Sequence, residues 1–576
     1  MKQNLRLILA ACVAVFATIG AKAQAPVPPT STIVTGTDIY LYNVSTGLFL
    51  NADGTYSQAL LSATPLKFQL KATSGSKYII QPQETDLSGN DRSSDECDMK
   101  GDFYMNQKKD WGWQFNETST GSRLYYFSKD DGATWTGVGA SNRLAAQASQ
   151  SADCVWGIVT MTDYAIYVRE MFIYNRNQAT PASPISYTSS LDFPDCSSAT
   201  GWTAVDGAGE HNRLKSISDV NAPGKGIGFS NAYIEFWNGT PDPGAAYYTT
   251  PSAMPAGFYR LTADVVDKDI DASVTSRSSF FVTDNSVTFE SEIATATSKT
   301  YYGRLATDGN LSFGWNLSGQ KEWLGIDNIT LTYIGQPNTI FTTDMGNLNH
   351  NVVSGGTCAS LMLSDGPYPF NAASDFTATS LTYDRTLTAS QPTTVCLPFA
   401  LTAEEAAEIG TFYTLTSLAS ETLTFTPAES GIAANTPYLL VPTATGFAAS
   451  YSGKAIAATP GSLSVAATGC TFVGTLTREL LKSDGSQTLF AYNNGTFVRI
   501  GSEKGAYLNP FRAYISIPAG ASVKSFNIQF EDNTTAVQEV KSEIENSTSV
   551  YDLSGRLIRN PRRGIYIING KTIMVK

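Results

Sequence analysis

Residues 257–265, Gly257-Phe258-Tyr259-Arg260-Leu261-Thr262-Ala263-Asp264-Val265, and residues 325–333, Gly325-Ile326-Asp327-Asn328-Ile329-Thr330-Leu331-Thr332-Tyr333, carry the pattern that decides the fold. Apolar and polar residues alternate with period two, which places one face of each stretch in a core and the other in water. Each is a half-buried strand bounded by turn residues, with Met254-Pro255-Ala256 before the first and Gly335-Gln336-Pro337 after the second. Composition agrees over the whole chain. Aromatic residues reach 11% and charged residues only 16% of 576 residues, alongside 47 glycines. That mix suits many short strands joined by tight turns. The length predicts three or four domains.

Charge and rare residues remove several function classes. With 39 basic against 51 acidic residues, the net charge of -12 repels nucleic acid and anionic membrane, so neither is expected as a partner. The two histidines, His211 and His350, lie in no HExxH or GxSxG motif, so His-based triads and zinc sites are not expected. A carboxylate pair acting on a glycoside leaves no local spacing and is not removed this way. No segment has the helix–strand alternation of a (β/α)8 barrel. Of seven cysteines, Cys97, Cys154, Cys196, Cys358, Cys396 and Cys470 follow the leader. They are too few for a disulfide scaffold. Cys97 and Cys154 are the one pair expected to share a domain with no third cysteine, and Cys196 is expected to be a buried thiol.

The N-terminus has the layout of an export signal. Lys2 and Arg6 precede an apolar stretch from Leu7 to Gly20, and Ala21-Lys22-Ala23 fits small-x-small cleavage. Residues 1–23 would be removed. Leu9-Ala10-Ala11-Cys12 superficially suits a lipoprotein signal, but too few apolar residues separate it from Arg6. No later stretch approaches the roughly 20 apolar residues of a spanning helix. At the other end, Val550 to Lys576 is basic, and its alternating apolar runs flank the turns Ser554-Gly555 and Asn569-Gly570. Tyr551-Asp552-Leu553-Ser554-Gly555-Arg556, Gly564-Ile565-Tyr566-Ile567 and Met574-Val575-Lys576 resemble the C-terminal sorting domain of Bacteroidetes cargo exported by the type IX (Por) secretion system. That resemblance, over 536–576, implies the secretion machinery as a partner and a secreted or surface-attached product. A plain terminal hairpin is the alternative.

Between the ends, three segments follow one another. Residues 35–178 contain Tyr40-Leu41-Tyr42-Asn43-Val44-Ser45-Thr46-Gly47-Leu48-Phe49-Leu50, which resembles the opening of ricin-type β-trefoil, lectin-like modules. Residues 185–336 carry Gly201-Trp202, then Glu235-Phe236-Trp237, then Pro255-Ala256-Gly257-Phe258-Tyr259-Arg260-Leu261, then Asp327-Asn328-Ile329-Thr330-Leu331. Their order is similar to that of the galactose-binding-like jelly roll of carbohydrate-binding modules. Residues 345–535 carry Cys396-Leu397-Pro398-Phe399 and Arg512-Ala513-Tyr514, and resemble an all-β domain of Prevotella and Bacteroides surface proteins with no transferable activity. There Thr402 to Ile409 reads as a helix, with Thr402 as N-cap and Glu405 completing a capping box. The expected architecture is all-β and multidomain: a β-trefoil-like N-terminal module, a jelly-roll sandwich, a further β-domain and a short C-terminal β-hairpin module.

Sugar recognition needs flat aromatic faces for pyranose C–H groups, with amides and carboxylates to bond the hydroxyls. Trp202, Glu235, Trp237, Asn238 and Trp323 are such residues in the second segment; Trp111 and Trp113 are such residues in the first. Against this, tryptophan is buried on average, so core packing competes at each of them. The jelly-roll resemblance further implies a structural calcium between Asp192 or Asp195 and Asp327, with hydrogen bonds to turn amides as the plain alternative for Asp327. No other cofactor is expected. Glycan or glycoprotein binding without catalysis is the expected function, and a structural or adhesive surface protein the alternative.

Overall fold

The computed structural model describes residues 25–93, 95–97, 103–105, 112–128, 131–187, 196–205, 212–218, 227–229, 232–238, 243–531, 550–552, 564–568 and 571–575. The chain is all-β and multidomain. Among the described residues only two α-helices appear, α1 (Met161–Gln178) and α2 (Ala403–Ile409).

In the first segment, strands Ile39–Asn43, Phe68–Ala72, Lys77–Pro82, Trp113–Glu117, Leu124–Ser128 and Trp156–Thr160 pair in turn. The last returns to the first through Ile39↔Thr160 and Asn43↔Trp156, closing a ring. Two hairpins, Leu48–Asp53 with Gln58–Ser62 and Trp135–Val138 with Leu144–Gln147, stand off this ring. A closed ring with such hairpins is trefoil-like, and the ring itself has no open edge. Its core holds Leu41, Leu50, Phe68, Ile80, Trp113, Phe127 and Trp156. Cys97 and Cys154 are both buried, and no disulfide links the pair singled out in the sequence.

The second segment is a sandwich of two sheets. The larger runs Asn212–Ile217, Tyr233–Asn238, Glu322–Gly335, Gly257–Asp269, Ile293–Leu305, with Ile185–Tyr187 beside Glu322–Gly335. The smaller runs Trp202–Val205, Pro243–Thr249, Ser312–Ser318, Ser279–Val282, Asn285–Thr288. The two alternating stretches of the sequence are adjacent in the larger sheet, in antiparallel register from Phe258↔Gly335 to Asp269↔Glu322. The register slips between Thr262 and Asp264, where Asn328 takes a φ of 52°. Such a bulge re-aims the side chains beyond it. Cys196 is buried in the core between the sheets, as expected.

The third segment pairs a four-stranded sheet with part of a ten-stranded one and encloses two apolar cores. Here α2 carries the expected capping box: Thr402 Oγ1 accepts from the Glu405 N–H, and Glu405 accepts from the Thr402 N–H. At the C-terminus, Val550–Asp552, Gly564–Ile568 and Lys571–Val575 form a three-stranded antiparallel sheet. Ile568 pairs with Lys571. Ser554-Gly555, Asn569-Gly570, residues 1–23 and His211 lie outside the described residues. Among those described, no helix is long and apolar enough to cross a membrane.

Helix α1 was not legible from apolar periodicity because its pattern is inverted. Asp163, Glu170 and Arg176 are buried, whereas Ile166, Val168 and Phe172 are exposed. The buried charges tie the three segments together. Asp163 pairs with Lys504 at 3.0 Å, Glu170 with Arg478 at 2.6 Å, and Arg176 with Asp308 at 3.1 Å. Arg478 grips Glu170 through two nitrogens and also donates to Asn509. Glu170→Gln is expected to destabilise the protein by about 2 kcal/mol, the worth of a charge-assisted hydrogen bond. Urea unfolding measures it, and no loss would mean that the pair is solvated.

Candidate functional site

The outer face of the larger sandwich sheet gathers the aromatic and acidic residues that the sequence singled out. Side chains alternate along a strand, so Ile234 and Phe236 enter the core while Tyr233, Glu235 and Trp237 face outward. Across the sheet, Trp237 stands opposite Trp323, which stands opposite Lys268. The next row is Lys215, Glu235, Gly325 and Val266. Asp327 follows two residues beyond Gly325 on the same face, opposite Asp264. Glu235, Trp237, Trp323 and Asp327 therefore share one surface, although the sequence separates them by up to 92 positions.

Their exposure differs, for a local reason. Phe229 lies over Gly325, where a Cβ would come within 2.9 Å of its ring. It stacks on Tyr233 at 4.4 Å and 18°. Together with Ile227, Val266 and Trp323 these form a small apolar cluster, against whose edge the half-buried Trp237 packs. Trp323 is only 7% exposed and Glu235 only 4%. Trp237, like Tyr302 farther along the sheet, is an aromatic of this face that keeps surface open to solvent. Beside Trp323 the facing Lys268 is exposed, and toward the bulge the Asn328 amide donates to Asp264 at 2.7 Å.

Four of the expected binding residues are corrected by burial, Glu235 among them at 4% exposure. Trp202 points between the two sheets and stacks on Trp315 at 5.9 Å and 28°, so it packs the core instead of meeting a ligand. Trp113 is fully buried, stacks on Phe103, and donates its indole N–H to the Cys97 carbonyl at 3.0 Å. Trp323 is covered as described. Asn238 ends the strand Tyr233–Asn238, and its side chain lies outside the description, as do Trp111, Asp192 and Asp195. Asp327 is buried. Among the described residues, no three His, Cys, Asp or Glu side chains are grouped to hold a metal ion. His350 is an ordinary polar contact: Nδ1 meets Ser360 Oγ at 3.1 Å, and burial lowers its pKa.

One carboxylate cluster escaped the sequence reading. Asp267 and Glu322 are fully buried at the far end of the same sheet pair. Glu322 accepts from the Ser278 N–H at 3.0 Å, Ser278 Oγ at 2.5 Å and Ser318 Oγ at 2.6 Å. Arg277 bridges Asp267 at 3.0 Å and Asp269 at 2.7 Å. Burial and then the Glu322 charge push the Asp267 carboxyl up to about 7, against the pull of Arg277. Sealed from solvent, the pair has no surface at which a glycoside could be cleaved. Two acids 55 positions apart give no local signal that could have exposed it.

No protein-family profile matches the chain, and no curated protein matches it. Solved structures match part of it. A designed 3-fold symmetric protein, ThreeFoil, is 10% identical with a TM-score of 0.19, covering 22% of this chain and 99% of that one. SeviL bound to asialo-GM1 saccharide is 12% identical with a TM-score of 0.18, covering 22% and 98%. The BEL β-trefoil is 12% identical with a TM-score of 0.18, covering 23% and 99%. Scores of this size carry no argument about this chain's fold or ligand, which rest on its own strand pairing and side chains.

Proposed function

We propose that this protein binds glycans or glycoproteins without catalysis, through the outer face of the larger sandwich sheet. What supports this reading is Trp237, a half-buried aromatic held at the edge of an apolar cluster, with polar groups beside it. Such a ring offers a pyranose its C–H face, and neighbouring amides, carboxylates and lysines take up the hydroxyls. An exported, secreted or surface-attached protein is the setting we infer from the leader and the basic tail, the latter acting as a type IX-like sorting signal. A structural calcium between Asp327 and Asp192 or Asp195 belongs to the same proposal, and calcium-dependent melting of the whole chain tests it.

The test of binding is a glycan array probed with the full chain and its Trp237→Ala variant. Binding is expected for the wild type, with at least a tenfold loss in the folded variant. Retention of binding would place the site elsewhere. Absence of binding to any glycan favours a second reading, a structural or adhesive surface protein. The burial of Trp113, Trp202 and Trp323 supports that alternative, because those rings serve packing.

A further inference from the structure

A cavity of about 350 Å³ opens in the third segment, between the end of strand Phe376–Asp384 with the residues after it and the loop Thr445–Ala449. That volume falls at the lower end of the range of ligand sites. Arg385 lines it and is only 6% exposed. Its guanidinium donates to Thr393 Oγ1 at 2.7 Å and to the Thr394 carbonyl at 3.3 Å. Among the described residues no carboxylate lies within ion-pairing distance of it, since nearby Asp365 is engaged by Arg512 at 2.9 Å. Beside it the exposed Asp384 lines the same cavity, so the walls hold one cation and one anion. Thr382, Thr386 and Thr445 add hydroxyls. Half-buried Phe447 forms an aromatic wall, backed at 4.8 Å by Tyr383, whose hydroxyl is fixed on Asp365 at 3.2 Å.

A rigid aromatic wall beside a donor, an acceptor and several hydroxyls suits a ring with an apolar face and a polar rim. The opposed charges of Arg385 and Asp384 disfavour a strongly anionic ligand. We infer that this cavity binds a single neutral pyranose residue of a glycan, a second sugar site remote from Trp237. The inference rests on the glycan-binding reading, and extends it to a segment for which the sequence supplied no activity.

Saturation-transfer NMR on the full chain tests it, with methyl β-galactoside, methyl α-mannoside, N-acetylglucosamine and glucuronate each added alone. At least one neutral sugar is expected to receive saturation from the wild type and from Trp237→Ala. The transfer should fall at least tenfold in Asp384→Ala and in Ala449→Trp, which fills the exposed rim without touching the core. Unchanged melting temperatures confirm that both variants fold. Transfer that Trp237→Ala abolishes, but the two cavity variants leave intact, overturns this inference and spares the Trp237 site. Stronger transfer to glucuronate than to the neutral sugars overturns the charge argument and the inference with it. No transfer to any sugar overturns the cavity site, and the Trp237 site stands or falls separately on the glycan array.

Discussion

Trp202→Ala is expected to destabilise the protein by about 3–5 kcal/mol, the usual cost of removing a buried tryptophan. Trp202 sits among Tyr248, Phe313 and Trp315, with ring centroids 5.8–5.9 Å away. The smaller sheet is anchored there to the core, so the alanine cavity opens where both sheets meet and neither can collapse into it. Among the described residues, neither Trp202 nor Trp315 has an acceptor for its buried indole N–H. Trp202→Phe, which keeps a ring and sheds that donor, should therefore recover much of the loss. Trp237→Ala, at the half-exposed edge of the outer cluster, should cost about 1 kcal/mol, as for an ordinary substitution. Urea unfolding followed by circular dichroism separates the three. Equal small losses for Trp202→Ala and Trp237→Ala would mean that Trp202 does not hold the sandwich together. The contrast also guards the binding test, because a variant that unfolds loses binding for an uninformative reason.

What was legible in the sequence follows the range of the forces involved. Period-two alternation in residues 257–265 and 325–333 is local, and those strands are neighbours in the larger sheet. The capping box at Thr402 and Glu405 is local as well, and it is present. Even the bulge had a trace: Asp327-Asn328 breaks the alternation with two consecutive polar residues. Helix α1 hid because it buries charge and exposes Ile166, Val168 and Phe172, the reverse of the stripe that apolar periodicity detects. Its start was nonetheless marked, since Thr160 caps Asp163 three residues on. For the site, residue type could not decide burial. Trp202, Trp237 and Trp323 are alike as letters, and only sheet pairing sends one to the core, covers another with Phe229, and leaves the third at an edge. The cavity beside Arg385 joins residues about 60 positions apart, which no spacing reveals.

The buried acid pair gives the second large effect, and it depends on pH. Asp267 titrates near 7 in the folded protein and near 4 in an unfolded chain. Between those values the folded state binds more protons than the unfolded one, so stability falls as pH rises. The contribution is complete below about pH 4 and is lost by about pH 7; a difference of that size corresponds to roughly 4 kcal/mol. The groups facing Asp267 explain the sign: burial disfavours its charge, Glu322 and Asp269 repel it, and the Arg277 guanidinium compensates only in part. Asp267→Asn mimics the protonated acid at every pH. The variant should match the wild type near pH 4 and exceed its stability by up to about 4 kcal/mol near pH 8. Taking the difference between the two proteins cancels the titration of the other carboxylates in this acidic chain. A difference that stays flat from pH 4 to pH 8 would show that Asp267 is ionised throughout and that Arg277 outweighs its burial. A variant weaker at every pH would show that the Arg277 ion pair is worth more than the repulsion from Glu322.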